Sequence, residues 1–194
     1  KMLDFGLKLN EVKRLHEKYE KDLLDKIKEN PYFLSREVKG YGFKRCDEIA
    51  MNMGYSLNGI ERIKSGLQHV LEAATSEGHT YLPKAVVCEC MENLLGIILD
   101  SKEIQKLLTN AGELVHFEKG NVTYSINRDD LVNKESYTIL AMEANELEQA
   151  IDELEKDDTV VLEEDCLYLK DYYLYEKESA NHIHRLAREV SSKI

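Results

Sequence analysis

Glu37-Val38-Lys39-Gly40-Tyr41-Gly42-Phe43-Lys44-Arg45-Cys46-Asp47-Glu48-Ile49-Ala50 sets two glycines around one aromatic residue, then runs at once into a cationic, amphipathic stretch. Gly40 and Gly42 lack a Cβ, so the backbone is expected to turn tightly there, with positive φ at no steric cost. From Phe43 onward, Phe43, Cys46, Ile49, Ala50 and Met53 recur at three- and four-residue steps. That spacing predicts a helix with one buried face, with Gly54 as its C-terminal cap. A glycine turn opening into a helix leaves the first amides without intrahelical partners and presents the positive end of the helix dipole. Such a place accepts a phosphate-sized anion. Lys39, Lys44 and Arg45 add positive charge around it. Cations in a first turn oppose the helix's own dipole, and an external anion offsets that conflict. The competing reading is an ordinary tight connection between two helices.

Outward from the hairpin, the N-terminal side reads as helical. Phe5-Gly6-Leu7-Lys8-Leu9-Asn10 is a second glycine turn with a lysine, and Asn10 is the expected N-cap of a helix marked by Val12, Leu15, His16 and Tyr19. Leu23, Leu24 and Ile27 mark a short helix ending before Pro31, and Pro31 opens the next one, which runs to about Glu37. The Gly6 turn is thus a weaker copy of the Gly40 hairpin. Beyond Gly54, Asn58 is the expected cap of a longer helix carrying Ile60, Ile63, Leu67, Val70, Leu71 and Ala74. Gly78-His79-Thr80-Tyr81-Leu82-Pro83 breaks it.

From Lys84 the character changes. Helices are predicted to about Gly96 and over 101–109, the latter capped by Ser101. Glu113–Phe117 and Asn121–Ile126 predict a β-hairpin, and Tyr137–Met142 a further strand. Glu143–Lys156 is an acidic helix, and Thr159–Leu162 pairs with Cys166–Leu169 across Glu163-Glu164-Asp165. A helix followed by a β-hairpin is the outline of a winged helix. Residues 173–190 form a last helix.

The 194 residues suffice for one or two domains with real cores. No stretch approaches the roughly 18 to 20 apolar residues of a membrane span, and no signal peptide is evident. The chain starts Lys-Met-Leu inside a running pattern, as expected of a piece of a longer protein. Charge is uneven. Residues 1–83 hold 14 Lys/Arg against 13 Asp/Glu, and residues 84–194 hold 12 against 24, which together give the net −11. An acidic chain argues against nucleic-acid binding as a whole. The asymmetry restricts such binding to the first part.

No catalytic constellation is visible. There is no Gly-x-x-x-x-Gly-Lys-Ser/Thr phosphate loop, no Gly-x-Ser-x-Gly and no His-Glu-x-x-His. Cys88-Glu-Cys90 is not a zinc spacing, and Cys46 and Cys88 fall in apolar helical patterns. Asp157-Asp158 and Glu163-Glu164-Asp165 sit at hairpin ends, where solvated turns are the simpler reading. His182 and His184 fall on different helix faces, and His69 and His79 read as packed or surface histidines. No metal and no cofactor are expected. The cysteine usage suggests a reducing, cytoplasmic setting.

The hairpin resembles the helix-hairpin-helix motif, and the resemblance extends along the chain. Glu29-Asn30-Pro31-Tyr32, Val38 to Lys44, Asp47-Glu48-Ile49-Ala50, Glu61-Arg62-Ile63 and Ser76-Glu77-Gly78-His79-Thr80-Tyr81-Leu82-Pro83 are similar to the N-terminal region of RecD-like ATP-dependent DNA helicases, the type of the exodeoxyribonuclease V alpha chain. The likeness covers about 5–97 and returns over about 143–190, whereas 98–142 does not map. It implies a mainly α fold with small β-hairpins (α+β): a tandem helix-hairpin-helix DNA-binding domain over 1–78, a winged-helix-like domain over 79–175 with an insertion at about 98–142, and a helix over 176–194 leading to an ATPase motor that the chain lacks. The implied parent is a helicase of DNA repair and recombination that moves 5′ to 3′ and uses ATP and magnesium in its motor. The expected partners are DNA, single-stranded or junction and without sequence specificity, and the parent's own motor domain, with no membrane. The expected contacts are Lys39, Gly40, Tyr41, Gly42, Phe43, Lys44 and Arg45, with Gly6 and Lys8 from the weaker turn. The alternative is a protein-interaction module that docks a motor domain or repair factor through the acidic C-terminal half.

Overall fold

The computed structural model describes residues 7–57, 59–109, 112–119, 122–139 and 142–191. Four helices lead into the hairpin region: α1 (Leu9–Tyr19), α2 (Leu23–Glu29), α3 (Leu34–Glu37) and α4 (Phe43–Asn52). A single 3-10 turn, Glu20–Asp22, joins α1 to α2, and a second, Pro31–Phe33, precedes α3. Asn30 is extended, as a residue before proline must be, and its side chain accepts the Tyr32 amide at 2.9 Å. Helix α1 begins at Leu9, so Asn10 lies inside the helix rather than capping it. The Gly6 turn and Asn58 lie outside the described residues.

Helix α5 (Ile60–Ser76) is the central element. Ile63, Leu67, Val70, Leu71 and Ala74 are buried along one stripe. Across it lie α6 (Lys84–Leu95) and α9 (Ala144–Lys156), which bury Val87, Met91 and Leu95, and Leu147, Ala150, Ile151 and Leu154. Gly66 allows the α5–α6 crossing to close: a Cβ there would stand 3.1 Å from Leu95 Cδ2 and 3.4 Å from Met91 Cε. Removing a large buried side chain such as Leu67 would cost about 2–5 kcal/mol.

Three strands complete this body. β1 (Tyr81–Pro83) pairs antiparallel with β7 (Cys166–Leu169), which pairs antiparallel with β6 (Val160–Glu163), in the order β1-β7-β6. The β6–β7 turn is Glu164-Asp165, with φ of 51° and 63°. Two positive φ values make the tight turn whose twist suits a two-residue hairpin. The succession α5-β1-α6-α9-β6-β7, with that strand order, is the arrangement of a winged helix. It takes α5 as its first helix. Buried residues from Leu7 to Leu167 form one continuous core, so the hairpin region and the winged region share α5 and are packed as one body.

Residues between α6 and α9 form an appendage with a core of its own. β2 (Ile97–Asp100) leads out and β5 (Ser136–Ile139) leads back, paired antiparallel from Ile97↔Ile139 to Asp100↔Ser136. Between them lie α7 (Ser101–Thr109), the hairpin of β3 (Leu114–Lys119) and β4 (Val122–Asn127), and α8 (Arg128–Leu131). Ile97, Leu99, Ile104, Val115, Ile126 and Leu131 pack with Leu57 from the loop before α5. The β3–β4 hairpin and β5 follow the sequence expectation; β2 and α8 do not, being short segments fixed by pairing and packing. Asp100, not Ser101, caps α7: its Oδ1 accepts the Lys102 and Glu103 amides, and Glu103 Oε2 accepts the Asp100 amide at 3.0 Å. That is a reciprocal capping box. Helix α10 (Lys170–Ser191) closes the chain, with Leu174, Ile183 and Leu186 exposed.

Candidate nucleic-acid interface

The turn between α3 and α4 is built from two kinds of residue. Val38, Tyr41 and Phe43 point inward and are buried; Lys39, Gly40, Gly42 and Lys44 stay exposed. The Tyr41 amide donates to the Val38 carbonyl at 3.0 Å and closes the turn. Gly40 has φ +89°, the left-handed region that favours glycine. Gly42 does not share this need. Its φ is −83°, and it serves as the N-cap of α4, with its carbonyl accepting the Arg45 and Cys46 amides at 3.1 and 3.2 Å. A Cβ on Gly42 would meet nothing within 4 Å. The space around the cap is open, and the Phe43 and Lys44 amides that begin α4 have no intrahelical acceptor.

The structure sorts the expected contact residues. Lys39 and Lys44 are exposed, and neither is ion-paired among the described residues. Arg45 is engaged within the protein: Nη1 donates to Glu48 Oε2 at 2.7 Å, and the guanidinium lies 5.8 Å from the Tyr41 ring centroid. The hydrogen bonds that Arg45 donates to Glu48 and then to Tyr41 push its pKa above the ordinary value. Tyr41 and Phe43 are buried and hold the hairpin down from inside. Lys8 is exposed just before α1; Gly6 lies outside the described residues.

Beneath the hairpin is a polar network that the sequence reading did not anticipate. Arg62 of α5 is almost fully buried and forms a bidentate pair with Asp47 of α4, with Nε to Oδ1 at 2.8 Å and Nη2 to Oδ2 at 2.9 Å. Its Nη1 donates to the carbonyls of Leu57 and Leu95 at 2.9 and 3.2 Å. The Tyr32 hydroxyl donates to Asp47 Oδ1 at 2.6 Å, and burial followed by the Asp47 charge pushes that phenol upward. The signal was present: Arg62 falls on the same helical face as Ile63 and Gly66, and a cation on a buried stripe needs a paired acid. On the outer side, Lys18 of α1 bonds Glu37 at 2.6 Å, just before the turn. Burial pushes the Cys46 thiol up to about 12, so it is a core residue rather than a nucleophile.

Cavities flank the hairpin. A hollow of about 110 Å³ lies beside Arg36, Gly42, Phe43, Gln68 and His69. A larger cleft of about 660 Å³ opens among Lys44, His69, Ala73, His79, Val86 and Asn93. No group of three or more His, Cys, Asp or Glu residues is arranged to hold a metal ion among the described residues. Asp158 instead pairs with Lys170 at 2.7 Å, and Glu163 with Lys177 at 2.8 Å. No described helix is long and apolar enough to cross a membrane.

A glycine-centred turn that caps a helix from outside and is pinned by apolar residues from inside defines the helix-hairpin-helix class. Residues 1–81 match the family model described as the ATP-dependent RecD2 DNA helicase HHH domain. Over those residues the chain is similar to the N-terminal helix-hairpin-helix region of RecD2 helicases.

Proposed function

We propose that this region binds the DNA phosphate backbone, without sequence specificity, through the Gly40–Lys44 hairpin. The observation that supports the reading is the open cap at Gly42, where the Phe43 and Lys44 amides lack intrahelical acceptors and Lys39 and Lys44 are exposed with no ion pair among the described residues. Contacts of this kind position a strand and carry no base information. With few charges involved, binding is weak and falls with salt. The region serves a helicase as an accessory grip on DNA, while the ATP-driven step belongs to a motor outside these residues. The free cysteines Cys46, Cys88, Cys90 and Cys166 suit a reducing, cytoplasmic setting. The test is fluorescence anisotropy with a labelled single-stranded oligonucleotide at low salt. Gly42→Val combined with Lys44→Glu should weaken binding about ten-fold, the loss of one charge-assisted contact, while helical circular dichroism stays native. Unchanged affinity in the folded variant would remove the hairpin as the site.

A second reading has its own support. Ile183 and Leu186, three residues apart on one face of α10, are exposed within the acidic half of the chain. This helix docks a protein partner such as a motor domain. Leu186→Glu with Ile183→Glu should abolish co-elution with a helicase motor while leaving DNA binding intact; retained co-elution would set the reading aside.

A further inference from the structure

We infer that the cleft between α5 and α6 receives a nucleobase of a single DNA strand, a reading that rests on the hairpin holding that strand's phosphates. Three rings stack in a column beneath the hairpin. Tyr32 lies against Phe43 with centroids 5.7 Å apart and planes at 12°, and Phe43 lies against His69 at 5.9 Å and 17°. Both tyrosine and phenylalanine are buried, whereas His69 is half-buried and ends the column. Its ring lines the hollow under Gly42 and also the 660 Å³ cleft. A base entering the cleft becomes the fourth ring of the column.

The rest of the lining suits a base. Val70, Ala73, Leu82 and Val86 supply apolar walls, and Asn93 and His79 supply donors and acceptors for base edges. This combination, a mostly apolar concavity with a few polar groups, is the ordinary make-up of a small-ligand site, and the volume falls within the usual range of roughly 300–1,000 Å³. Lys44 belongs both to the hairpin and to this lining. One strand can therefore set a phosphate on Lys44 and turn the adjoining base inward. Glu77, at the C-terminal end of α5, also lines the cleft; it repels phosphate and so leaves Lys44 as the backbone side. A paired base in a duplex is unavailable to the cleft unless it is first extruded, at a free-energy cost. The cleft therefore selects single strands, and stacking on a ring makes it tolerant of sequence.

The test compares two labelled probes by anisotropy: a twelve-nucleotide oligodeoxythymidine and an abasic sugar-phosphate oligomer of the same length and charge. The wild-type chain should bind the thymidine oligomer on the order of five-fold more tightly than the abasic one. Ala73→Phe, which fills the cleft from an exposed position on α5, should bring the two affinities together without weakening abasic binding. Equal binding of both probes by the wild type would overturn the cleft and leave the hairpin standing. A ratio that persists in a folded Ala73→Phe variant would overturn it as well. Failure to bind either probe would remove the hairpin reading and the cleft together.

Discussion

Arg62 and Asp47 meet in a bidentate ion pair between α5 and α4, with both N–O distances below 3 Å. This contact fixes the helix that carries the hairpin against the helix at the centre of the winged body. The same guanidinium reaches the Leu57 and Leu95 carbonyls, so one side chain ties together four segments. Removing Asp47 leaves that cation buried without its acid, a loss of about 3–5 kcal/mol. Asp47→Ala should lower the urea midpoint accordingly, and the double variant Asp47→Leu/Arg62→Met should recover most of the loss. A drop below about 1 kcal/mol in the single variant would show that the pair is not the tie described.

The two hairpin glycines should respond differently to alanine. Gly40 has φ +89°, so Gly40→Ala forces an L residue into the left-handed region at about 1–2 kcal/mol. Gly42 has φ −83° and open space around its missing Cβ. Gly42→Ala should cost only a few tenths of a kcal/mol, the usual difference at an N-cap. Chemical denaturation of both variants checks the contrast, and equal losses would contradict it.

The junction of α5 and α9 predicts a pH dependence on both limbs. Lys64 lies 3.0 Å from Glu61, 3.2 Å from Glu153 and 3.8 Å from Asp157. Burial opposes its charge, but the bonds and charges of Glu61 and Glu153 outweigh burial and raise its pKa. That stabilisation is complete below the ordinary lysine value of 10.5 and is lost as pH rises through the raised one. A hydrogen bond from Gln149, and then the ammonium of Lys64, hold Glu153 below its ordinary 4.5. Its share is complete above 4.5 and is lost as pH falls through the lowered value. Melting temperatures of wild type and Lys64→Met should therefore converge toward pH 3 and pH 11 and differ most near pH 7. A constant difference across that range would exclude the linkage.

If the proposed reading holds, the salt dependence of DNA binding counts the cations engaged. Lys39 and Lys44 are exposed at the cap and have no ion pair among the described residues, so the expected number of neutralised phosphates is about two. For a single strand the plot of log affinity against log salt should have a slope of about −1.4, halved by Lys44→Ala. A slope steeper than about −4 would mean that the hairpin is a minor part of the interface.

Much of this was legible in the chain alone. Helices α2, α4, α5, α6 and α9 repeat apolar residues at helical spacing, and the Gly78–Pro83 break and the strands of the β6–β7 hairpin are bounded by turn residues. Local signals suffice there because periodicity and turn chemistry act within a few residues. Asp100 and Ser101 are equally good cap types in sequence, and only the backbone path makes Asp100 the cap of α7. Strand β2 and helix α8 have four residues each, too few to declare a period, and they exist because β5 and the small core around Leu131 hold them.

By itself the sequence determined the hairpin, its helix, the cations beside it and the mainly α class, since each depends on neighbours a few positions apart. Tertiary structure alone decided which of those residues are exposed and which are buried. Folding turns Tyr41 and Phe43 inward, gives Arg45 to Glu48, and leaves Lys39 and Lys44 exposed. It also joins Asp47 to Arg62 and His69 to Phe43, pairs 15 and 26 residues apart that no local pattern links. Burial is the physical reason: a side chain's partners are set by which helices cross over it, and crossing is a property of the whole fold.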